Sequence, residues 1–197
     1  MNLLLFVWMC QKVYYDRFIY YRGAGHLEEF FLYALVILGV ITAAWKHLRH
    51  CAVPAWLLVM VQAGIVMHFA GGLGNWQGAR LYDQLFFGIR YDKYVHFVNA
   101  FICGWALHVL YFNFLSLARW LRELQQIVGV LGLGAVVEIV EYLVTLTVIH
   151  NGVGGYDNNM QDMIANFAGS VFCVFVIRIK DRIVVNVRLT DTRALER

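Results

Sequence analysis

Charge is scarce in this sequence. Of its 197 residues only 15% are Asp, Glu, Lys or Arg, against 61% hydrophobic, where a soluble domain carries about a quarter charged. Too few charges remain to cover a water-facing surface, so lipid must solvate much of it. Proline is nearly absent too, with one residue, Pro54, standing where a helix can begin without losing a hydrogen bond. The four cysteines (Cys10, Cys51, Cys103 and Cys173) share no CxxC spacing, and nothing in their placement implies a disulfide framework. Nor is there a Lys/Arg cluster interleaved with aromatics, so no nucleic-acid partner is expected.

What is present is long and apolar. Residues 51–79 and 94–118 contain no charged side chain. A bilayer core of about 30 Å needs about 20 helical residues, so each run is long enough to span. The runs are continuous rather than alternating, which favours helices over barrel strands. Mean hydropathy is +0.62. The expected fold class is therefore all-α, a polytopic transmembrane helical bundle in contact with the lipid bilayer. Five spans emerge, near 28–45, 54–73, 94–117, 126–149 and 162–179. Residues 1–26 read as an interfacial segment, their Leu3–Met9 run too soon interrupted by Lys12, Asp16 and Arg17 to cross. A sixth span there stays open. The expected organisation is 1–26 interfacial, 27–180 transmembrane and 181–197 a polar tail, with no internal repeat. A homo-oligomer is compatible with so few spans.

Five spans put the termini on opposite sides. Lys12, Arg17, Arg22, Arg80, Arg90 and Lys93 fall on one side. Lys46, Arg49, Arg119, Arg122 and the six basic residues from Arg178 to Arg197 fall on the other. The richer side is expected to be cytoplasmic, and with it the C-terminus.

The polar residues then gather at the end away from that tail. His68 lies near one end of the second span. Arg90, Asp92 and His96 open the third, Glu138 and Glu141 sit late in the fourth, and Asp157, Asp162 and Asn166 begin the fifth. Asp92/His96 and Asp162/Asn166 are spaced i,i+4 and Glu138/Glu141 i,i+3, so each pair shares a helix face. Carboxylates inside a span cost about 2.5–3.5 kcal/mol each on insertion scales, so Glu138 and Glu141 call for compensation. Arg90 and Lys93 are candidate ion-pair partners. A shared proton would make the Glu pair a general acid/base, the catalytic reading. A divalent metal held by His68, His96, Glu138, Glu141 and Asp162 is the other, with Asp92, Arg90 and Asn166 supporting from behind. A structural ion-pair network would account for the same residues, and Asp157-Asn158-Asn159 reads equally well as a turn.

Four segments carry a resemblance: His68-Phe69-Ala70-Gly71, Arg90-Tyr91-Asp92-Lys93-Tyr94-Val95-His96-Phe97, Glu138-Ile139-Val140-Glu141-Tyr142, and Asp162-Met163-Ile164-Ala165-Asn166-Phe167-Ala168-Gly169. In this order, over about residues 65–175, the chain resembles the YjdF-like family of small bacterial inner-membrane proteins, and more distantly the VanZ-like membrane proteins. The resemblance implies a multi-pass inner-membrane protein and supplies no reaction. It also implies two aspartates four residues apart before the last span. Here Asp157 and Asp162 are five apart, so either Asn158 stands in for the first or the loop is shifted. Three functions stay open: an enzyme on an envelope or lipid-linked substrate, a proton-linked transporter, and a structural or partner-binding protein.

Overall fold

In the computed structural model the described residues are 27–51, 53–114, 117–147 and 154–195, with isolated positions before residue 27. The expected interfacial segment and the sixth span lie outside the contiguous described residues. Among the described residues five helices follow one another: α1 (Leu27–Leu48), α2 (Ala55–Leu73), α3 (Tyr91–Phe114), α4 (Arg119–Thr147) and α5 (Tyr156–Leu195). Four contain stretches long and apolar enough to cross a membrane, within Ala55–Gly72, Tyr91–Tyr111, Arg119–Leu143 and Tyr156–Ile183. With α1 as a fifth helix, the all-α multi-span expectation holds.

Contacts divide the chain into two compact units, one holding α1 and the end of α4 from Ile139, the other Val53–Glu138 and Gly155–Arg197. In the first unit α1 leaves Phe31, Leu32, Leu35 and Val36 exposed, as a lipid-facing helix does. The second unit is built on the pairing of α3 with α5, with α2 against α3. Its core joins Leu57 of α2, Ile102 and Trp105 of α3, and Cys173 and Ile177 of α5. Trp56 meets Trp105 edge to face at 5.1 Å between centroids, a favoured aromatic geometry. At Gly169 of α5, a Cβ would strike the Phe97 carbonyl oxygen of α3. Only glycine allows that approach, the device that membrane helices use to pack closely.

Helix starts differ from those read in the sequence. α4 begins at Arg119 rather than near 126, and α5 at Tyr156 rather than 162. Asp157-Asn158-Asn159 is thus the first turn of a helix, not a loop. Between α2 and α3 the chain folds into two hairpins. Strand β1 (Asn75–Trp76) pairs with β2 (Ala79–Arg80), and β3 (Leu85–Phe86) with β4 (Ile89–Arg90), both antiparallel. The loops, Gln77-Gly78 and Phe87-Gly88, have positive φ at both residues, the two-residue turn whose twist suits a hairpin. The second hairpin repeats the first ten residues on. Even the closing bonds match, Leu81 N–H to Gly74 O and Tyr91 N–H to Gln84 O, both 2.9 Å. This short tandem was not anticipated from the sequence.

Candidate functional site

The hairpins deliver two arginines, Arg80 and Arg90, to one carboxylate. Arg80 Nε donates to Asp83 Oδ2 at 2.8 Å, and Arg90 Nη2 donates to Asp83 Oδ1 at 2.7 Å. The hydrogen bond from Arg80, with the charges of both arginines, holds the Asp83 carboxyl below its ordinary range against the opposing effect of burial. Arg90 also reaches α5, donating through Nη1 to Asn158 Oδ1 at 2.8 Å.

Directly after Arg90, the first two turns of α3 carry Asp92, Lys93 and His96. The i,i+4 spacing places Asp92 and His96 on one helix face. Against them, α5 presents Asp162. Lys93 Nζ is the hub, 2.9 Å from Asp92 Oδ2 and 2.6 Å from Asp162 Oδ1. It also donates to Asn158 Oδ1 at 2.9 Å. Asn158 Nδ2 donates to the second Asp162 oxygen at 2.8 Å. His96 Nε2 lies 3.3 Å from Asp162 Oδ1 and 3.6 Å from Asp92 Oδ1.

Burial is graded across this cluster. The Asp162 side chain is 2% exposed and Lys93 8%, whereas His96 is 20% exposed. A buried carboxylate is tolerable only when paired and hydrogen-bonded, and Asp162 has both Lys93 and Asn158. Arg80, Arg90 and Lys93 balance Asp83, Asp92 and Asp162 in charge across the network joined through Asn158. One ligand atom from each of Asp92, His96 and Asp162 falls within 4.8 Å of the others. The same three groups are therefore arranged for either a proton or a small cation.

The surroundings come from two further helices. Asn166, one turn beyond Asp162, is buried where Gly134 of α4 leaves room for its side chain. Further along, Gln126 of α4 donates to Cys173 Sγ of α5 at 3.4 Å. Glu138 of α4 lies one turn beyond Gly134. Glu138 is itself buried. On α2, His68 Nδ1 shares a 2.6 Å hydrogen bond with Tyr82 Oη. That phenol ring fills the space where a Cβ on Gly71 would lie, fastening the loop to α2.

The match that decides the family spans residues 3–182. The chain belongs to the family described as predicted membrane protein (DUF2238). No curated protein and no solved structure matches it.

In this DUF2238 chain the residues singled out in the sequence divide into three groups. Asp92, His96 and Asp162 come together, with Arg90 beside them through Asn158 and Asn166 one turn below. His68 is engaged by Tyr82, and Glu138 is buried in α4. Glu141 belongs to the first compact unit, and Asp157 is exposed at the start of α5. Lys93, expected as a partner for the glutamates, instead bridges the two aspartates. Sequence reasoning missed Asp83 and Tyr82 altogether. Asn158 was legible only through the resemblance, as a stand-in for an aspartate four residues before Asp162.

Proposed function

We propose that Asp92, Lys93, His96 and Asp162 form an acid/base site at one face of the bacterial inner membrane. Its substrate is the polar part of an envelope or lipid-linked molecule. Lys/Arg residues favour the C-terminal side by ten to six, which supports a cytoplasmic C-terminus and, with it, a site at the outer face. The YjdF-like resemblance supports the same membrane. The observation that carries the reading is the position of His96. It is the most exposed member of a cluster whose two carboxylates already share a buried lysine. A fixed ammonium and two carboxylates can orient an imidazole while leaving it free to accept or give a proton at the surface. Asp92, Lys93 and Asp162 are then positioning groups.

The test is to incubate purified protein with a total lipid and envelope-precursor extract and follow the products by mass spectrometry. A product made by the wild type and lost in His96→Gln, with thermal stability retained, is expected. No protein-dependent change, together with full cellular complementation by His96→Gln, would sink the proposal.

A divalent cation is the second reading, favoured by the mutual 4.8 Å approach of Asp92, His96 and Asp162. Lys93 would have to swing off both aspartates to admit it, so proton handling fits the geometry better. Elemental analysis after zinc or manganese loading separates the two. Stoichiometric metal lost in His96→Gln supports the cation, and none in either protein removes it.

A further inference from the structure

The opposite end of α4 and α5 carries a second charged cluster with no part in the site above. Arg119 and Trp120 open α4, Glu123 lies one turn on, and α5 contributes Arg178 and Arg182. Together these five line a cavity of about 330 Å³. Arg119 is the first residue of one spanning stretch, and Arg178 and Arg182 close another that ends at Ile183. The cavity therefore lies at headgroup depth. Trp120, 65% exposed, suits the same level, where indole rings concentrate.

The hydrogen bonding fixes which donors remain. Glu123 receives Arg119 Nε at 3.1 Å and, through both oxygens, Arg178 Nε and Nη2 at 2.8 and 2.5 Å. Arg119 Nη2 is taken by Asp181 at 3.0 Å. Among the described residues nothing accepts from Arg119 Nη1 or Arg178 Nη1, and Arg182 forms no ion pair there. Three guanidiniums against Glu123 and Asp181 leave one positive charge in excess. Planar guanidiniums with spare N–H groups are built to hold phosphate oxygens.

We propose that this cavity binds a singly charged phosphodiester, the headgroup phosphate of an anionic membrane lipid. Glu123 holds Arg119 and Arg178 in fixed orientations, and Arg182 supplies the free fork that closes on the phosphate. The acyl chains run down the exposed apolar surface of α4, past Leu124 and Val128.

The test uses full-length protein in detergent, with phosphatidylglycerol or phosphatidylcholine titrated in and the retained lipid counted by native mass spectrometry. One phosphatidylglycerol should be retained in preference to phosphatidylcholine. Arg182→Gln, which breaks no described ion pair, should weaken retention about tenfold, and Arg182→Lys should recover part of it. Equal retention of the two lipids, or of phosphatidylglycerol by wild type and Arg182→Gln, would overturn the site. Displacement of the lipid by millimolar inorganic phosphate would overturn the lipid as the source, assigning the cavity to a soluble anion instead.

Discussion

At one end of α5, Asp162 is 2% exposed and held by Lys93, itself almost wholly covered. About four and a half turns along the same helix, roughly 24 Å, Arg178 is 55% exposed and paired with Glu123. The two ends draw on the same chemistry, carboxylates bridged by a basic side chain. Their energetics differ because their solvents differ. In the buried cluster each charge has lost its water and depends on its partner, so breaking one contact strands the others. In the arginine cluster Glu123 is only 13% exposed, but Arg119 and Arg178 are half-exposed and keep their water, so losing a single ion pair strands no buried cation and costs little. A buried network is thereby fixed in geometry, which suits a site. The arginine cluster keeps guanidinium N–H groups in water, open to an external anion.

This contrast predicts a graded series. Lys93→Met should have the largest effect, leaving Asp92 and Asp162 facing each other without their cation and lowering stability by about 3–5 kcal/mol. Thermal unfolding in detergent measures it, and adding Asp162→Asn should recover part of the loss. Little change in Lys93→Met would erase the distinction between the two ends.

Gly169→Ala comes next, at about 1–3 kcal/mol. Its methyl group would push α3 away from α5 at Phe97 and so loosen the seam that covers Lys93. The same unfolding measurement checks it. Glu123→Gln should cost at most about 1 kcal/mol. Its effect should shrink on going from 0.15 to 1 M salt, where screening falls from about 8 to about 3 Å, while that of Lys93→Met should persist.

Asp83→Asn should be smallest, a few tenths of a kcal/mol at neutral pH, because Asp83 is 37% exposed and water screens its pairs. Its folded-state pKa is lowered, so its stabilisation is complete above the ordinary carboxylate range. It is lost as pH falls through the lowered value. The variant should therefore unfold with a flatter acid limb than the wild type, measured by denaturation across that range.

Long uncharged runs made the second and third helices readable to within a few residues, since little else can fill a membrane. The starts of α4 and α5 were misjudged where polar residues continue a helix. Arg119, Arg122 and Glu123 looked like loop, but Arg119 and Glu123 find partners on α5, and that tertiary pairing overrides local polarity. The hairpins were missed because Gln77-Gly78 and Phe87-Gly88 lack the Asn-Gly or Asp-Gly signature of such turns, and four two-residue strands leave no periodicity to detect. Within the site, i,i+4 spacing and helix ends were enough to gather Asp92, His96 and Asp162. Lys93 was given to the glutamates because a sequence does not say which neighbour a helix face meets. Here that face meets α5.

The Lys93–Asp162 contact also has a consequence for biosynthesis. The two residues are 69 apart in the chain, and at ribosomal rates of about 5–20 residues per second several seconds separate their synthesis. During that interval Lys93 has only its neighbour Asp92 for a charge partner. The third helix can enter the bilayer but cannot lock until the last one arrives, so assembly closes from the C-terminal side. Chains stopped before residue 156 should be degraded faster than full-length chains, and equal lifetimes in a pulse-chase would show that α3 is secured without α5.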